Sequence, residues 1–557
     1  MQHITSRAAA KTARAVAILT AVCLMFLCFP ARAAEALMTP IIEDISPKTA
    51  MTLTTGSTRT IEVLASRDAD LTVTVGKTEI EMSRTGSTSD SGLYWYEGSY
   101  TAPSSAAGTT VSISATATFN GRSQTRNGGA FKVVAMENSY DGSSGTVEGD
   151  MLVIEDAASF SGQQITVTDS YADVFIPAES DRNEDYAAPY YYQLPEGTID
   201  YVSSGPDANN IYWLKSGRKV SANDVRVSAN SGSQGENRIT GISLSADSEC
   251  TYLSVDESWK VPFNIEVLDI TYASSTSNTV TSFSPRAVRI TFDYTTGIYN
   301  GDVSIPGNSC FTDVRVYTQT TNGIPQCVIE LTLAESAYYG AYADYSGDTL
   351  ELKFYNPVSS LEGARIVIDS GHGSYINSSG KEDPGALGVN GTQEAYQNYL
   401  KATALKEELE SRGAEVYLLP SYHTQDLYSL YARVDAAIDW EPMVYVSVHH
   451  NSSATSTTAR GIEVYYNNPW SVDLAKNVCN SIFSAYQQME YGSGAVNRGH
   501  KFSEYAVTRV KQFSAILIEY GFITTPQENS ILTNTNNIQR FAEATADGLE
   551  EYFASAD

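Results

Sequence analysis

The sequence predicts two architectures in series: an N-terminal all-β part of sandwich-like domains, then a C-terminal α/β domain with a central mixed sheet flanked by helices. Residues 37–357 contain short runs of alternating apolar and polar residues separated by turn residues, a pattern typical of antiparallel sandwiches and barrels. Residues 363–557 instead alternate apolar strand-like runs with segments of helical spacing, which indicates one α/β domain. A chain of 557 residues is long enough for several domains.

The excess of acidic residues argues against polyanionic partners. Asp and Glu number 65 against 36 Lys and Arg, which gives a net charge of -29. Because nucleic-acid binding requires clustered Lys and Arg, we expect no nucleic-acid partner. Adhesion to anionic lipid is disfavoured for the same reason. The hydrophobic content of 42% is sufficient for globular domains and argues against wholesale disorder.

Residues 1–33 have the features of a secretory signal peptide. Basic residues come first, an apolar run follows, and the run ends at Ala31-Arg32-Ala33, an A-x-A cleavage pattern. The run is short for a membrane span and contains Pro30, which favours cleavage over a permanent anchor. We therefore expect a secreted, extracellular protein with no stable membrane insertion after signal cleavage.

The β-rich part is divided by its turn-rich segments into three predicted domains: 37–135, 136–260 and 261–357. The strand spacing of the first is immunoglobulin-like, the second is β-rich, and the third is a β-sandwich. The aromatic segments Tyr190–Tyr192 and Ile211–Val220 could form a surface that stacks on sugars or peptides. Core or cross-strand positions are the favoured interpretation for both segments.

Four cysteines remain after signal removal: Cys250, Cys310, Cys327 and Cys479. Export permits disulfides, and Cys310 with Cys327 could close a loop the size of a hairpin. Buried free thiols are the alternative, and the sequence leaves the pairing open. There is no CxxC pair, so zinc binding by cysteine is not expected.

In the α/β part, three predicted strands run directly into residues capable of chemistry. The strands 366–369, 443–448 and 514–518 are followed by segments that contain His372, His449 and Glu519. Because the carboxyl ends of strands line the ligand crevice of an open α/β sheet, these side chains are expected to converge there. Glu394 opens a predicted helix that ends near Arg412, just before Gly413.

Two histidines and a carboxylate form a three-ligand set for Zn²⁺ that leaves a fourth position for water, which is the catalytic type of zinc site. A further carboxylate close to that water could take its proton while the metal polarises the carbonyl under attack. The spacing of the residues alone leaves an alternative open: each of these histidines could have a purely structural role.

The same region carries ordered motifs that resemble a known family. In chain order they are Ile366-Val-Ile-Asp-Ser-Gly-His-Gly373, Asp383-Pro-Gly-Ala-Leu-Gly388, Asn390-Gly-Thr-Gln-Glu394, Ser447-Val-His-His-Asn451, Gly461-Ile-Glu-Val-Tyr-Tyr466, Asn497-Arg-Gly499, Ile516-Leu-Ile-Glu-Tyr-Gly-Phe-Ile523 and Pro526-Gln-Glu528. By order and residue type, residues 363–557 resemble the zinc-dependent N-acetylmuramoyl-L-alanine amidases of the type-3 amidase family.

The resemblance implies one zinc ion per catalytic domain, held by His372, Glu394 and His449, with Glu519 as the catalytic carboxylate. It implies that zinc-activated water hydrolyses the amide between N-acetylmuramic acid and L-alanine of the stem peptide, with peptidoglycan as the partner and a cell-wall-associated location. His450 stands where the family often has a small residue. The motif register favours His449, and strand alternation directs the two side chains to opposite sides.

The prediction is therefore an exported peptidoglycan hydrolase whose β domains have a cell-wall or protein partner. The alternatives are a zinc peptidase that cuts within the stem peptide and a non-enzymatic cell-wall binding or scaffold protein. Among the other polar residues, His423 is predicted in a solvated loop and Arg433 in a structural ion pair. Asp369 is predicted to anchor the turn of His372, either by capping it or by orienting its imidazole.

Overall fold

The structure is a computed structural model, and the part of the chain that it describes is 40–48, 50–54, 58–66, 69–88, 93–106, 109–134, 145–175, 191–229, 232–272, 280–376, 380–424, 429–489 and 494–555. The predicted signal peptide and Tyr190 lie outside these residues. The chain divides into two compact units, Met1–Ala135 and Met136–Asp557. No helix of the described ranges is long and apolar enough to cross a membrane.

The described residues of the first unit form nine strands: β1 Ile42–Ser46, β2 Ala50–Thr54, β3 Thr58–Ser66, β4 Asp70–Val75, β5 Thr78–Ile80, β6 Ser83–Thr88, β7 Leu93–Thr101, β8 Thr110–Phe119 and β9 Arg122–Val134. They form a four-stranded sheet, β1-β3-β7-β6, and a five-stranded sheet, β2-β9-β8-β4-β5. Alternate side chains are buried along the strands, as at Val73 and Val75 of β4. The rings of Tyr100 and Phe131 stack between the two sheets at 5.6 Å.

In the part of the second unit that precedes residue 356, the described ranges contain these further strands: β10 Gly145–Glu148, β11 Met151–Ile154, β12 Gln164–Val167, β13 Tyr171–Ala172, β14 Val174–Phe175, β15 Leu194–Pro195, β16 Ile199–Ser204, β17 Ile211–Leu214, β18 Lys219–Ser221, β19 Val225–Val227, β20 Asn237–Ala246, β21 Cys250–Glu257, β22 Phe263–Val267, β23 Ile270–Tyr272, β24 Val280–Phe283, β25 Ala287–Asp293, β26 Thr295–Tyr299, β27 Phe311–Thr321, β28 Ile324–Leu333, β29 Tyr342–Ser346 and β30 Thr349–Tyr355. The largest sheet has seven strands in the order β10-β11-β26-β20-β21-β30-β29. That sheet takes strands from both sides of residue 260, so the segments predicted as 136–260 and 261–357 share one sheet.

The structure decides two questions that the sequence leaves open: whether the cysteines form a disulfide, and whether the aromatic segments lie in the core. Cys250, Cys310, Cys327 and Cys479 are buried free thiols, so the possible Cys310–Cys327 disulfide is not formed. The register of β27 with β28 places Cys327 opposite Thr318, whereas Cys310 precedes the paired strand.

In the first aromatic segment, Tyr192 lies in the core, as the favoured interpretation predicts. Its side chain is 2% exposed. Its hydroxyl donates to the carbonyl of Ala341 at 2.8 Å, and its ring stacks on Phe263. Tyr192 therefore belongs to the core and is not part of a sugar-binding surface.

The described residues of the C-terminal α/β part form the remaining strands and five α-helices: β31 Arg365–Ser370, β32 Tyr375–Ile376, β33 Lys381–Glu382, α1 Glu394–Ser411, β34 Glu415–Leu418, α2 Leu430–Trp440, β35 Val444–Asn451, β36 Ile462–Tyr466, α3 Val472–Gln487, β37 Asn497–Phe502, β38 Ser514–Phe522, α4 Pro526–Leu532 and α5 Thr535–Ala554. The sheet is mixed, with the order β34-β31-β35-β38-β36-β37, and β36 runs antiparallel to β38. Strand β37 was not predicted, because its charged sequence lacks apolar alternation and it pairs only at the edge of the sheet.

The β-rich and α/β parts of the second unit share their core. The ring of Tyr338 meets Trp470 edge to face at 5.1 Å, and Tyr339 packs against Phe553 at 5.8 Å. The hydroxyl of Tyr342 donates to the carbonyl of Pro442 at 2.6 Å. Large aromatic side chains bury much apolar area, so these contacts contribute to the stability of both parts.

Candidate metal centre

Neighbouring elements of the mixed sheet bring the predicted ligands together. His372 follows β31, His449 lies in β35, and Glu394 is the first residue of α1. One ligand atom of each of these three residues lies within 4.8 Å of the others. Strands β31 and β35 are parallel neighbours, so their carboxyl ends deliver both histidines to the same edge, as expected for an open α/β sheet.

Glu394 lies between the two imidazoles. Its Oε2 is 3.4 Å from Nε2 of His372, and its Oε1 is 3.0 Å from Nδ1 of His449. The two imidazole rings are 5.0 Å apart and nearly perpendicular. Backbone N–H groups also hold the carboxylate: that of Ala386 donates to Oε2 at 2.8 Å and that of His450 to Oε1 at 3.2 Å.

Asp383 orients the first histidine. Its Oδ2 lies 2.7 Å from Nδ1 of His372, and its Oδ1 accepts from the backbone N–H of Gly385 at 3.0 Å. With Nδ1 engaged in this way, Nε2 is the nitrogen left to face Glu394. Such a carboxylate behind a ligating histidine fixes the ring orientation and tautomer. Asp383 lies in one of the family-like motifs, but nothing in the sequence indicates its contact with His372.

Glycines make room for the cluster. A Cβ atom on Gly371 would overlap the imidazole of His449. A Cβ on Gly385 would stand 2.7 Å from Cδ2 of His372 and 2.8 Å from Oε2 of Glu394. Only glycine permits such close approach of backbone to side chains, so the backbone at both positions is shaped around the three ligands.

Beneath the turn, a buried ion pair holds the backbone of His372. Nη1 of Arg433 is 2.7 Å from Oδ1 of Asp369, and Nη2 donates to the carbonyl of His372 at 2.8 Å. Ser447 donates to the other oxygen of Asp369 at 2.9 Å. Arg433 therefore makes the structural ion pair that was predicted, and Asp369 anchors the turn through Arg433 and not through the imidazole.

The electrostatics of the cluster favour a cation. Burial raises the pKa of Glu394, but its hydrogen bonds to His372 and His449 outweigh this and hold that pKa well below the usual range. Burial lowers the pKa of His372, while hydrogen bonds to Glu394 and Asp383 raise it to about 9. Both shifts express the same preference for positive charge beside these carboxylates, which a divalent metal ion would satisfy.

The adjacent histidines separate as strand alternation predicts. His449 faces Glu394, whereas His450 is 2% exposed on the other side, where its Nδ1 lies 2.6 Å from Oδ1 of Asn398. Asn398 also donates from Nδ2 to the carbonyl of Gly371 at 2.9 Å. His450 is thus part of the support beneath the cluster and not one of its three donors.

Glu519 lies beside the cluster on the next strand. It pairs with His449 in the parallel register of β35 and β38. Its Oε2 is buried and has no hydrogen-bond partner among the described residues. Burial, then the charges of Glu394 and Glu463, raise its pKa well above the usual value. A carboxyl group with these properties can accept and hold a proton near neutral pH.

A charged group not found by sequence reasoning lies across from Glu519. Glu463 pairs with Glu519 between β36 and β38 and forms ion pairs with Arg498 and Lys501 of β37. Alternation along β36 would have placed Glu463 on the same face as Glu519, but the edge strand that carries its partners was not predicted.

The remaining histidines stay outside the three-residue group. His423 is exposed, as predicted, with its Nδ1 3.3 Å from the hydroxyl of Tyr375. His500 lies beside Tyr466, with ring centroids 6.1 Å apart.

The three-residue group itself offers two imidazole nitrogens and a carboxylate within reach of one point. These are the donor types that zinc takes in catalytic sites.

Comparison with known proteins confirms the family resemblance of the C-terminal domain. Residues 366–551 match the family described as N-acetylmuramoyl-L-alanine amidase. The probable cell wall amidase LytH of Staphylococcus epidermidis is 30% identical over 197 residues, which is 35% of this chain and 60% of the relative. LytH of Staphylococcus aureus is 29% identical over the same length and share of each chain. The chain thus spans 60% of the length of these curated relatives.

Solved structures match about a third of the chain. An N-acetylmuramoyl-L-alanine amidase from Clostridium difficile 630 is 29% identical with a TM-score of 0.31, and the match covers 35% of this chain and 100% of that one. AmiC2 of Nostoc punctiforme is 28% identical with a TM-score of 0.30, over 34% of this chain and 98% of that one.

Proposed function

We propose that this protein is an exported, cell-wall-associated peptidoglycan hydrolase. Its reaction is hydrolysis of the amide between the lactyl group of N-acetylmuramic acid and L-alanine of the stem peptide. The observation that carries this proposal is the meeting of His372, Glu394 and His449 within 4.8 Å, beside the unpaired buried Oε2 of Glu519. The family match of residues 366–551 supports the same reaction.

In this proposal His372, Glu394 and His449 hold one Zn²⁺ ion. When bound, a zinc ion with three protein ligands supplies Lewis-acid polarisation of a carbonyl and lowers the pKa of water. Asp383 keeps Nε2 of His372 available, and the Arg433–Asp369 pair holds the turn that carries the ring. The protein thereby fixes the donor atoms before substrate arrives.

Glu519 is proposed to carry the proton. It takes a proton from the attacking water at its buried Oε2, and the new C–O bond forms at the lactyl carbonyl carbon. When the C–N bond breaks, Glu519 gives that proton to the alanine nitrogen. The products are a lactyl carboxylate on the sugar and a peptide with a free L-alanine amino group. The raised pKa of Glu519 suits a group that holds the proton between the two steps.

The β-rich segments are proposed to position this domain at the wall through a cell-wall or protein partner. We propose residues 37–135 as an immunoglobulin-like domain. Residues 136–260 and 261–357, which share a sheet, are proposed as the β-rich support of the 363–557 domain. Since the chain carries a net charge of -29, stacking and hydrogen bonds are the expected means of contact with anionic wall polymers.

Product identification tests the reaction. The full-length zinc-loaded protein is incubated with purified peptidoglycan, and the soluble fragments are identified by mass spectrometry. Peptides with free L-alanine amino termini are expected, and a chelator should abolish their release. Tyr431→Ala, a change at an exposed residue outside the group, should leave release unchanged.

Two other results would replace the proposal. Cuts between amino acids of the stem, with the muramoyl–alanine bond intact, would indicate a zinc peptidase. Binding to the wall with no product from fully zinc-loaded protein would indicate a non-enzymatic scaffold.

A further inference from the structure

Five aromatic side chains form a connected surface beside the candidate metal centre. They are Tyr375, Tyr396, Tyr399, Tyr422 and His423, here called the aromatic platform. The rings of Tyr399 and Tyr422 stack with centroids 4.5 Å apart and planes at 16°. Tyr396 lies 6.5 Å from Tyr422, and His423 lies 4.0 Å from Tyr422 and 6.0 Å from Tyr375.

The platform is accessible to solvent. Tyr396 is 47% exposed and Tyr399 is 36% exposed, and His423 is exposed as well. Tyr375 and Tyr422 are half-buried and connect the exposed rings. Large exposed apolar groups are usually scattered singly, so a connected group of rings is a candidate binding surface. The mutual stacking of Tyr399 and Tyr422 holds their planes before any ligand arrives, which lowers the entropic cost of binding.

The platform and the metal centre share two segments of the chain. Tyr396 and Tyr399 lie on α1, the helix whose first residue is Glu394. The ring of Tyr422 packs so closely on Gly373, the residue after His372, that a Cβ on this glycine would overlap it. A molecule on the platform therefore lies next to the turn and helix that supply two of the three donors.

We propose that the aromatic platform is a subsite for the glycan strand of peptidoglycan. This inference rests on the proposed function, because the amide to be cut is attached directly to an amino sugar through its lactyl group. Only a few covalent bonds separate this sugar from the amide that must lie at the metal centre, so the sugar must bind nearby. The aromatic platform is a nearby surface whose rings can stack on a sugar. Tyrosine rings present an apolar face to the C–H groups of a sugar ring and a hydroxyl to its polar groups.

The charge around the platform favours a sugar over the stem peptide as its occupant. Oε2 of Glu382 lies 3.5 Å from Nδ1 of His423 at the edge of the platform. This carboxylate repels the acidic groups of a stem peptide, whereas the face of a sugar ring carries no charge for it to repel. Stacking of this kind also requires no net positive charge, which suits a chain at -29.

Binding of peptide-free glycan strands to the full-length protein tests the platform. Such strands carry no scissile amide, so calorimetry measures binding without turnover. Tyr399→Ala removes a ring at an exposed helical position and should raise the Kd by about fivefold to tenfold. Tyr399→Phe keeps the ring and should stay within about twofold of wild type.

The matched control is Tyr431→Ala. Tyr431 is also exposed and on a helix of this domain, and its hydroxyl accepts from Arg509 at 3.2 Å. Its removal should leave the glycan Kd unchanged. Equal Kd values for wild type, Tyr399→Ala and Tyr431→Ala would overturn the subsite. So would weakened binding of free stem peptide in Tyr399→Ala with glycan binding intact, because the platform would then be a peptide site.

Hydrolysis separates this inference from the proposed function. With glycan-linked substrate, Tyr399→Ala should raise KM while kcat stays within about twofold of wild type, because the ring acts on sugar binding. If wild-type protein releases no peptide, the proposed reaction fails, whereas the glycan Kd still reports on the platform. If wild type hydrolyses normally and Tyr399→Ala has the same KM, the platform fails alone.

Discussion

Nδ1 of His372 lies 2.7 Å from Oδ2 of Asp383, and Nε2 of the same ring faces Glu394 at 3.4 Å. The carboxylate of Asp383 thereby decides which nitrogen is presented to the metal centre. Partners of this kind are usually worth about 10- to 100-fold in metal affinity. Asp383→Ala should weaken zinc binding by that factor, as measured by competition with a chelator. Glu382→Ala removes the adjacent carboxylate and should change zinc affinity far less; equal losses would mean that only overall charge matters.

Asn398 connects the two histidine-bearing segments from beneath. It donates to the carbonyl of Gly371 at 2.9 Å and meets Nδ1 of His450 at 2.6 Å. Asn398→Ala leaves these buried groups without a partner, so the free energy of unfolding should fall by about 1–3 kcal/mol per lost bond. Denaturant unfolding of the full chain measures this. Glu407→Ala, at an exposed position of the same helix, is the control and should change stability by less than about 0.5 kcal/mol.

Because the Arg433–Asp369 ion pair is buried, we expect substitution of Arg433 to lower the free energy of unfolding by an amount that depends on pH. Arg433→Met leaves the Asp369 carboxylate buried without its counter-charge, at a cost of about 3–5 kcal/mol at neutral pH. Burial raises the pKa of Asp369, but Arg433 and Ser447 outweigh this and hold it below the ordinary value of 3.8. The stability that this carboxylate contributes is therefore present above pH 3.8 and is lost as the pH falls through its lower folded value.

Unfolding measured from pH 7 downwards should show the difference between wild type and Arg433→Met shrinking in two stages. The variant is relieved first, because burial raises the pKa of Asp369 once Arg433 is gone and the carboxyl becomes protonated. Below pH 3.8 wild type in turn loses the stability that its ion pair contributes. A difference that stayed constant with pH would show that the loss comes from packing and not from the uncompensated charge.

The aromatic contacts between the β-rich and α/β parts predict that residues 363–557 are less stable alone. Removing residues 136–362 would expose Trp470 and Phe553, which pack against Tyr338 and Tyr339. The isolated segment should unfold at a lower temperature than residues 136–557 and aggregate more readily, because a buried apolar face becomes exposed. Calorimetric scans and light scattering of the two fragments compare them. Equal unfolding temperatures would contradict a shared core.

Sequence reasoning reached much of the candidate site because its residues follow local signals. His372, His449 and Glu519 come at or just after apolar strands, so the strand-end rule predicts that they converge. The assignment of Glu394 as the third ligand came from the family resemblance. The strand alternation that separates His449 from His450 is likewise local. The contact between Asp383 and His372 depends on how an irregular loop returns to the site, which no periodicity encodes.

Long-range pairing limited the rest of the fold prediction. The seven-stranded sheet joins β11 and β20 to β26 and β30 across predicted domain boundaries, and such pairings have no signal within any one strand. Charged β37 lacks alternation and forms only by pairing with β36. The free thiols follow from a register of β27 and β28 that keeps Cys310 and Cys327 from facing each other.

The most direct measurement of the central claim separates metal binding from hydrolysis at Glu519. Zinc content and the rate of release of L-alanine amino termini from peptidoglycan are measured together for full-length wild type and Glu519→Gln. The predicted result is one zinc per chain in both proteins, with hydrolysis in the variant reduced by about 10²- to 10⁴-fold, because the proton carrier is gone. Hydrolysis by Glu519→Gln at the wild-type rate, or none by zinc-loaded wild type, would contradict the account.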